Sequence, residues 1–453
     1  MKTIVIGIGD TGLHIARILS RENHDVTIID EDADRIRKAE ESMDVMALQG
    51  HGASLRTLRQ AQAAEADLVI SVTSSDEVNV LAASTAKKLG AKRVVARIST
   101  STYLGTEDHI TGCEVVGVDL IISQQTLAAS EIHRLVKSYG AISVELFMDN
   151  RIEMIQLPVV ADLSILEKPV RDLDLPQGAL LAGILRQGEI IIPTGVDTLL
   201  EGDEAFLVAE IGVIPRVEKL FGKTGERQAR KVMIVGGGEI GLSVARLLGQ
   251  DEIEVILIES DKGRSKLLSE LLPDAVVIHG DGKNLALLQE ERVENCDVFV
   301  AVSGQDDTNL MATLLAQHLG AKKTVCLVSQ SDYVPLYEAL GINSSISPRL
   351  TTANRILKYV RRGEVVSVTQ LEEGQAEILE IVTSEGSSIA GEHIRDASLP
   401  HGALIAAISG AKGAFVPRGG DEIINPGDTV LAFTTPKARE RVERLFRRRL
   451  LSL

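Results

Sequence analysis

The sequence predicts an α/β protein with two copies of a parallel-sheet domain, each followed by a smaller α/β domain. A short apolar strand followed by Gly-x-Gly-x-x-Gly occurs twice, in KTIVIGIGDTG from Lys2 and in RKVMIVGGGEIG from Arg230. After each copy, short apolar runs alternate with helical stretches, which is typical of a parallel sheet covered on both faces. Together these observations indicate a tandem repeat.

The first glycine turn has the spacing of a Rossmann-like dinucleotide site. Gly7 permits the tight turn, Gly9 lets the backbone approach a pyrophosphate, and Gly12 lets the helix pack close to the strand. The phosphate would lie at the positive N-terminus of that helix. The next apolar run ends in Asp30, 18 positions after Gly12, where a carboxylate can accept hydrogen bonds from an adenosine ribose. This acid favours NAD(H), ATP or ADP over NADP(H), although a helix cap or a solvated loop acid remains an alternative.

The second copy repeats the first in register. Gly241 lies 229 positions after Gly12, and Glu259 lies 229 positions after Asp30. Two further pairs of segments match at a spacing of 230, namely 48–58 with 278–288 and 70–94 with 300–324. Residues 173–195 resemble 397–419, and a Gly-Asp turn then precedes a short apolar strand in both places, as in a hairpin. The smaller domain is therefore duplicated as well.

The repeat indicates the domain boundaries. We predict a Rossmann-like domain over 1–120 with a helical segment at 121–138, a small domain over 139–222, a linker over 223–230, a second Rossmann-like domain over 231–344 with a helical segment at 345–362, and a second small domain over 363–447. In the first domain, apolar runs predict strands at 3–6, 26–29, 45–48, 68–72, 94–97 and 114–116. A chain of 453 residues is long enough for this arrangement.

Composition argues against several classes of protein. The net charge is −16 and there is no tryptophan, whereas a nucleic-acid-binding surface needs a basic stripe or stacking aromatic rings. The apolar runs are too short to span a bilayer, and no signal peptide is recognisable, so a cytoplasmic location is expected. Cys113, Cys296 and Cys326 are widely separated, so neither a disulfide nor a structural metal site is predicted.

Ligands of parallel sheets bind outside the carboxyl ends of the strands. The predicted cofactor-binding residues are Gly7, Ile8, Gly9, Asp10, Thr11, Gly12, Asp30, His51, Gly52, Thr73, Ser74 and Arg97 in the first half, and Gly236, Gly237, Gly238, Glu239, Ile240, Gly241, Glu259, Gly280, Asp281 and Ser303 in the second. Four acids and amides that follow the fourth strands are predicted to cap helices instead, namely Asp76, Asn79, Asp306 and Asn309.

The two halves differ at two of these positions. Arg97 can clamp a phosphate or stack on adenine, whereas its counterpart, Leu327, can do neither. A surface arginine at a strand end is the alternative for Arg97. His51 stands opposite Asp281 and is either a turn residue or a ligand contact. We therefore expect the first half to bind nucleotide more tightly.

No catalytic residue is predicted. The chain has no Gly-x-Ser-x-Gly, His-Glu-x-x-His or complete Walker motif, and His133, His393 and His401 are isolated and not repeated. The alternative function is an NAD-dependent oxidoreductase with duplicated nucleotide-binding modules, which requires an acid or base beside a carbonyl or hydroxyl substrate.

The tandem motifs GIGDTG…D…GHGAS…VTSSDEVN…AR and GGGEIG…E…GDGKN…VSGQDDTN, each followed by an LPxGAL module, resemble the TrkA family. The resemblance implies a cytosolic, nucleotide-sensing regulatory subunit of a Trk-type potassium uptake system, with tandem RCK domains that bind NAD(H), ATP or ADP. It also implies a homo-oligomeric gating ring, a tetramer, that docks as a peripheral protein on a membrane potassium transporter subunit. On the same basis, 120–138 and 345–362 are either crossover helices between subunits or core helices.

This chain departs from the family pattern in three respects. His51 replaces an acid that often follows the glycine, the second half lacks an equivalent of Arg97, and no Asp-x-Arg pattern follows Ile192. The last departure argues against a cyclic dinucleotide ligand. A glutathione-gated potassium efflux system remains an alternative, although such systems usually carry a membrane segment in the same chain.

Overall fold

The computed structural model describes residues 1–448 except 100–112, 114–115, 139, 149, 162, 164, 222–228, 361–364, 372–373 and 412. Most of the predicted linker and the end of the second predicted helical segment lie outside these described residues. The chain divides into two compact units. The parallel-sheet unit comprises Met1–His133 and Arg230–Val360, and the antiparallel-sheet unit comprises Arg134–Ala229 and Arg361–Leu453. Each unit therefore combines one segment from each half of the chain.

The first six strands are β1 (Lys2–Ile6), β2 (Asp25–Asp30), β3 (Met46–Gln49), β4 (Leu68–Ser71), β5 (Arg93–Ile98) and β6 (Leu120–Ser123). They form a parallel sheet in the order β3-β2-β1-β4-β5-β6, which is the Rossmann order. The helices of this part are α1 (Asp10–Arg21), α2 (Ala33–Ser42), α3 (Leu55–Gln60), α4 (Asp76–Leu89) and α5 (Gln124–Lys137). The central strands β1 and β4 are mostly apolar because helices cover both faces of the sheet.

The sixth strand does not lie at the predicted 114–116, of which 114–115 are outside the described residues. The strand lies at Leu120–Ser123, and Val116 is helical. The apolar, β-branched run at 120–122 suits a buried strand, and the helix that follows starts only at Gln124. The second half behaves in the same way, since a strand at Ser344–Ile346 precedes the helix from Pro348.

The next elements form an antiparallel sheet in the order β10-β9-β11-β8-β7, built from β7 (Ser143–Phe147), β8 (Ile152–Pro158), β9 (Ala179–Arg186), β10 (Glu189–Ile191) and β11 (Glu204–Glu210). Helix α6 (Ile214–Phe221) follows.

The second parallel sheet repeats the order of the first, as β14-β13-β12-β15-β16-β17. Its strands are β12 (Lys231–Val235), β13 (Glu254–Glu259), β14 (Val276–His279), β15 (Val298–Ala301), β16 (Lys323–Leu327) and β17 (Ser344–Ile346). Its helices are α7 (Glu239–Gln250), α8 (Lys262–Leu271), α9 (Leu285–Glu290), α10 (Asp306–His318), α11 (Val334–Ala339) and α12 (Pro348–Val360).

A second antiparallel sheet ends the chain, in the order β18-β19-β22-β20-β21. It contains β18 (Val365–Leu371), β19 (Ala376–Val382), β20 (Ala403–Gly410), β21 (Gly413–Phe415) and β22 (Thr429–Thr434), and helix α13 (Pro436–Phe446) follows. Corresponding strands occupy corresponding places in the two antiparallel sheets, so the duplication predicted from the sequence extends to the topology. In the antiparallel-sheet unit, Phe206 and Phe433 of the two sheets share one core, with ring centroids 6.2 Å apart.

The two halves also share a core within the parallel-sheet unit. Ala353, Ile356 and Leu357 form one apolar stripe of α12 and pack in the same buried cluster as Ile15 and Leu19 of α1. A helix from the second half thus covers part of the first Rossmann-like domain.

Candidate functional site

A cavity of about 520 Å³ lies at the carboxyl ends of the strands of the first parallel sheet. It is centred where the strand order reverses between β1 and β4, which is the usual ligand position in such sheets. Its lining comprises Ile6, Gly7, Gly9, Asp10, Thr11, Ile29, Asp30, Glu31, Asp32, Arg35, Gly50, His51, Gly52, Val72, Thr73, Ser74, Ser75, Val78, Arg97 and Arg349.

The three glycines of the first turn have distinct surroundings, and those of Gly7 and Gly12 are the tight ones that their spacing predicts. Gly7 has a φ of +91°, and a Cβ there would lie 2.7 Å from the backbone N of Thr73. A Cβ on Gly12 would lie 1.9 Å from the carbonyl oxygen of Gly7, so only glycine allows the helix to approach so closely. Gly9 faces open space, with nothing within 4 Å of a Cβ, and is the N-cap of α1 without a side-chain capping bond. The backbone at Gly9 is therefore accessible from the cavity.

Asp30 holds the glycine turn. Its Oδ2 accepts a hydrogen bond from Ile8 N at 2.6 Å, and its Oδ1 accepts one from Asp32 N at 2.9 Å. The helix-cap alternative does not apply to Asp30, because Asp32 caps α2 by accepting from Asp34 N and Arg35 N. These two backbone hydrogen bonds lower the pKa of Asp32. Asp30 is thus a nearly buried carboxylate, with 11% of its side chain exposed, at the cavity wall.

Arg97 is not a surface cap of a strand end. Its Nη1 donates to Gln124 Oε1 at 2.6 Å and its Nη2 donates to the Thr73 carbonyl at 2.9 Å, while its buried Nε has no hydrogen-bond partner. Burial lowers the pKa of Arg97, against an opposing attraction from Asp76. Within the described part of the chain no carboxylate forms an ion pair with this guanidinium, whose hydrogen-bond partners are a side-chain amide and a carbonyl oxygen.

The four helix-cap predictions were wrong. Ser75 caps α4, whereas Asn79 is fully buried and binds the backbone of two strand ends: its Oδ1 accepts from Thr73 N at 2.7 Å, and its Nδ2 donates to the carbonyls of Thr73 and Arg97. Asp76 accepts from Ser99 N.

The equivalent residues of the second half make equivalent hydrogen bonds. Asn309 bonds to Ser303 N, Ser303 O and Leu327 O, and Asp306 accepts from Ser329 N. Polar residues early in a helix resemble caps in sequence, but these side chains face the sheet.

Sequence reasoning missed two arginines of the first cavity. Arg35, in α2, lies 3.9 Å from Asp30 Oδ2 and 3.5 Å from Asp32 Oδ2. Arg349, near the start of α12, forms an ion pair with Asp10 in the first turn of α1. The position of Arg35, one turn after the second strand, is a local signal that could have been used. No local signal exists for Arg349, since only the packing of α12 on α1 brings it to the cavity.

The second cavity, of about 570 Å³, lies at the equivalent edge of the second parallel sheet and is lined by Val235, Gly236, Gly238, Ile258, Glu259, Ser260, Gly280, Asp281, Gly282, Lys283, Ser303, Gly304, Gln305 and Thr308. Glu259 accepts hydrogen bonds from Gly237 N and Asp261 N, each at 2.7 Å. Lys283, Gln305 and Thr308 were missed from the sequence. Among the described residues that line this cavity there is no arginine.

Six of the predicted residues lie outside the cavity linings, namely Ile8, Gly12, Gly237, Glu239, Ile240 and Gly241. Ile8 belongs to the apolar core, and Gly12 and Gly241 pack against the preceding turn. Glu239 is paired with Arg264 of its own domain at 3.0 Å. His51 and Asp281 both line their cavities and also bond to backbone amides of their own turns.

The described ranges contain neither a membrane-spanning helix nor a cluster of metal ligands. None of the helices there is both long and apolar enough to cross a bilayer. No three His, Cys, Asp or Glu side chains in those ranges are grouped as metal ligands.

Comparison with known families agrees with the repeat. The TrkA-N domain matches residues 3–124 and 232–348, and the TrkA-C domain matches 154–222 and 378–447. The chain belongs to the TrkA family. It is 36% identical to the Trk system potassium uptake protein TrkA homolog 1 of Methanosarcina mazei, over 99% of this chain and 100% of that protein. It is 35% identical to the Trk system potassium uptake protein TrkA of Halomonas elongata, over 98% of each chain.

The TrkA fold of this chain is also similar to solved structures. The GsuK channel bound to NAD has a TM-score of 0.62 at 17% identity, covering 98% of this chain and 78% of that chain. The GsuK RCK domain has a TM-score of 0.61 at 17% identity, covering 98% and 94%. At this identity the likeness concerns the fold alone.

Proposed function

We propose that this chain is a nucleotide-sensing regulatory subunit of a potassium uptake system. It binds NAD(H), ATP or ADP in its two cavities and gates a membrane potassium transporter subunit. The observation that carries the ligand assignment is the carboxylate at the end of the second strand in each parallel sheet, Asp30 or Glu259, hydrogen-bonded to the glycine turn. Full-length similarity to potassium uptake proteins supports the physiological role.

The ligand fits the chemistry of the cavity. Volumes of about 520 and 570 Å³ fall within the range of about 300–1,000 Å³ for small-molecule sites. The open backbone at Gly9 offers the N-terminus of α1 to a pyrophosphate, and Asp30 would accept the ribose hydroxyls. A 2′-phosphate would be repelled by the same carboxylate, so NADP(H) is the poorer ligand.

The proposed role is regulatory and not catalytic. The ligand acts by binding more tightly to one arrangement of the ring than to another, and only this difference in affinity can shift the equilibrium. In this proposal the ring is a homotetramer at the inner face of the cell membrane. The helices α5 and α12 would serve as crossover helices between subunits, and within one chain α12 already packs across the two halves on α1.

Calorimetric titration of the full chain with NAD, NADH, ATP and ADP tests the proposal. Replacing Asp30 by Asn or Ala should weaken one binding event about 10- to 100-fold, because hydrogen bonds to a charged acceptor contribute about 1.5–3 kcal/mol. Glu259→Ala should weaken the other event. The matched controls are Glu41→Ala and Glu270→Ala, which remove exposed carboxylates from α2 and α8 at the same change in charge. Thermal melting identifies a variant that fails to fold.

Two further readouts separate this function from the oxidoreductase alternative. Cells that lack the chain should lose potassium uptake, and the wild-type chain, but not the double variant of Asp30 and Glu259, should restore it. Steady consumption of NADH with small carbonyl compounds would instead identify an enzyme. Absence of any nucleotide binding by the wild-type chain would overturn the ligand assignment.

A further inference from the structure

Arg349 belongs to the second half of the chain, yet it lines the first cavity. There it forms an ion pair with Asp10 of the glycine turn. The side chain of Arg349 is 35% exposed and that of Asp10 is 60% exposed, so the pair lies at the cavity rim and within reach of a ligand. The docking of α12 through Ala353, Ile356 and Leu357 holds it there.

Asp10 would be unfavourable for a phosphate if it stood alone. It lies in the first turn of α1, beside the backbone that faces a pyrophosphate, where its negative charge repels an anion. Arg349 neutralises this charge and adds a guanidinium, whose planar set of donors suits a phosphate. Arg97 lines the same cavity, so the first cavity carries guanidinium groups from both halves of the chain, which suits a ligand with more than one phosphate group.

The second half lacks this arrangement. The residue equivalent to Asp10 is Glu239, which lies outside the second cavity and pairs with Arg264 of its own domain. The residue equivalent to Arg349, second in its helix, is Gln125, which carries no charge. Of the two cavities, the first is therefore the one that receives a charged side chain, Arg349, from the other half of the chain.

We propose that Arg349 is a specificity-determining residue of the first cavity, which makes the affinity for a polyphosphate ligand depend on the docking of α12 from the other half. This inference rests on the proposed function only in that the ligand carries phosphates. It deepens that function by naming the ligand class, a nucleoside polyphosphate, and the element whose position the ligand senses. Because coupling is reciprocal, a bound polyphosphate also stabilises the docking of α12.

Titration of the full chain with ATP, ADP and AMP in a Glu259→Ala background tests the affinity. Arg349→Gln should weaken ATP about 10-fold or more, ADP less and AMP least, since the contact is with the distal phosphates. Arg349→Lys keeps the charge and should recover part of the loss. Asp10→Asn should strengthen ATP binding several-fold, and the double variant Asp10→Asn, Arg349→Gln should lose less than Arg349→Gln alone. Arg355→Gln, which removes an exposed arginine from the same helix, is the matched control.

Hydrogen exchange of α12 supplies an independent readout. ATP should slow amide exchange over 348–360 in the wild-type chain, and the slowing should disappear in Arg349→Gln. ATP affinity in Arg349→Gln that equals the wild-type value, or equal protection of α12 in both proteins, would overturn the inference while the proposed nucleotide binding stands. Failure of the wild-type chain to bind any nucleotide would contradict the proposed function itself.

Discussion

The two cavities of the parallel-sheet unit share a backbone frame and differ in their charged side chains. Both sheets have the same strand order, and both glycine turns have a first glycine with positive φ, +91° for Gly7 and +106° for Gly236. The carboxylates of Asp30 and Glu259 accept equivalent backbone hydrogen bonds. However, three arginines line the first cavity, whereas Lys283 is the basic residue that lines the second.

Comparison of the two cavities shows which positions both copies of the repeat must share. Positions that define the turn are restricted by contacts shorter than any real Cβ contact, so they tolerate no side chain. Positions such as Arg97 and its counterpart Leu327 face the ligand space or the core without fixing the backbone, and they are free to diverge. If the two cavities bind nucleotides as proposed, we therefore expect them to differ in ligand or in affinity on the same frame.

We expect the largest effect from Gly12, which sets the geometry of the turn, and a smaller one from Gly9, whose backbone faces the cavity. Gly12→Ala places a Cβ against the Gly7 carbonyl and should destabilise the parallel-sheet unit by about 3 kcal/mol and abolish binding in the first cavity. Gly9→Ala meets nothing within 4 Å, so it should change the free energy of unfolding by less than about 1 kcal/mol but still weaken nucleotide binding. Denaturant unfolding and calorimetry on both variants provide the comparison. Equal destabilisation by the two substitutions would contradict the separate roles of these glycines.

The second prediction concerns Arg97, at which the two halves of the chain differ in charge. Arg97→Leu gives the first half the residue that the second half has at this position, Leu327, and should weaken nucleotide binding in the first cavity about 10- to 100-fold, because a charged hydrogen-bond donor is lost. The free energy of unfolding should fall by about 1–3 kcal/mol, because the Gln124 side chain and the Thr73 carbonyl lose a charged donor. Binding in the second cavity should not change, and Arg17→Leu, at an exposed position of α1, is the control. If both binding events weaken equally, the two cavities are not independent.

The smallest expected effect concerns two buried cysteines of the second Rossmann-like domain. Burial raises the pKa of Cys296 to about 11 and that of Cys326 to about 12, and the equivalent positions of the first sheet are Ala66 and Ala96. In a Cys113→Ser background, Ellman's reagent at pH 8 should therefore titrate no thiol in the folded chain and two after unfolding.

The same pKa shifts predict a pH dependence of stability. The raised pKa values stabilise the folded state fully below a thiol pKa of about 9 and lose this contribution as the pH rises towards 11–12. The denaturation midpoint should thus fall between pH 9 and 11, and less so after Cys296→Ala and Cys326→Ala. Rapid reaction of either thiol in the folded chain would contradict the burial of these positions.

Local signals predicted most of the frame. The glycine spacing, the acids at 30 and 259 and the register of the repeat predict the strand order and the place of the cavities. The sixth strand was misplaced because two short apolar runs, 114–116 and 120–122, compete and propensity alone does not choose between them. Asn79 resembled a cap because its position in the helix is local information, whereas its partners, the ends of β4 and β5, are set by the fold.

Other features depend on contacts between the halves. Nothing near Arg349 in sequence indicates that it meets Asp10, since that contact requires the apolar stripe of α12 to find α1 across most of the chain. The repeat in the sequence indicates two separate halves. The division into a parallel-sheet unit and an antiparallel-sheet unit, each with one segment from each half, therefore could not be predicted from it. Pattern reasoning describes elements well and their long-range partners poorly.

The packing of α12 on α1 has a consequence for biosynthesis. At about 5–20 residues per second, a ribosome needs on the order of tens of seconds to proceed from α1 to α12. During this interval the first domain is made without Ala353, Ile356 and Leu357, which complete the buried cluster of Ile15 and Leu19. We therefore expect part of the apolar surface of α1 to stay uncovered in the growing chain until α12 is synthesised.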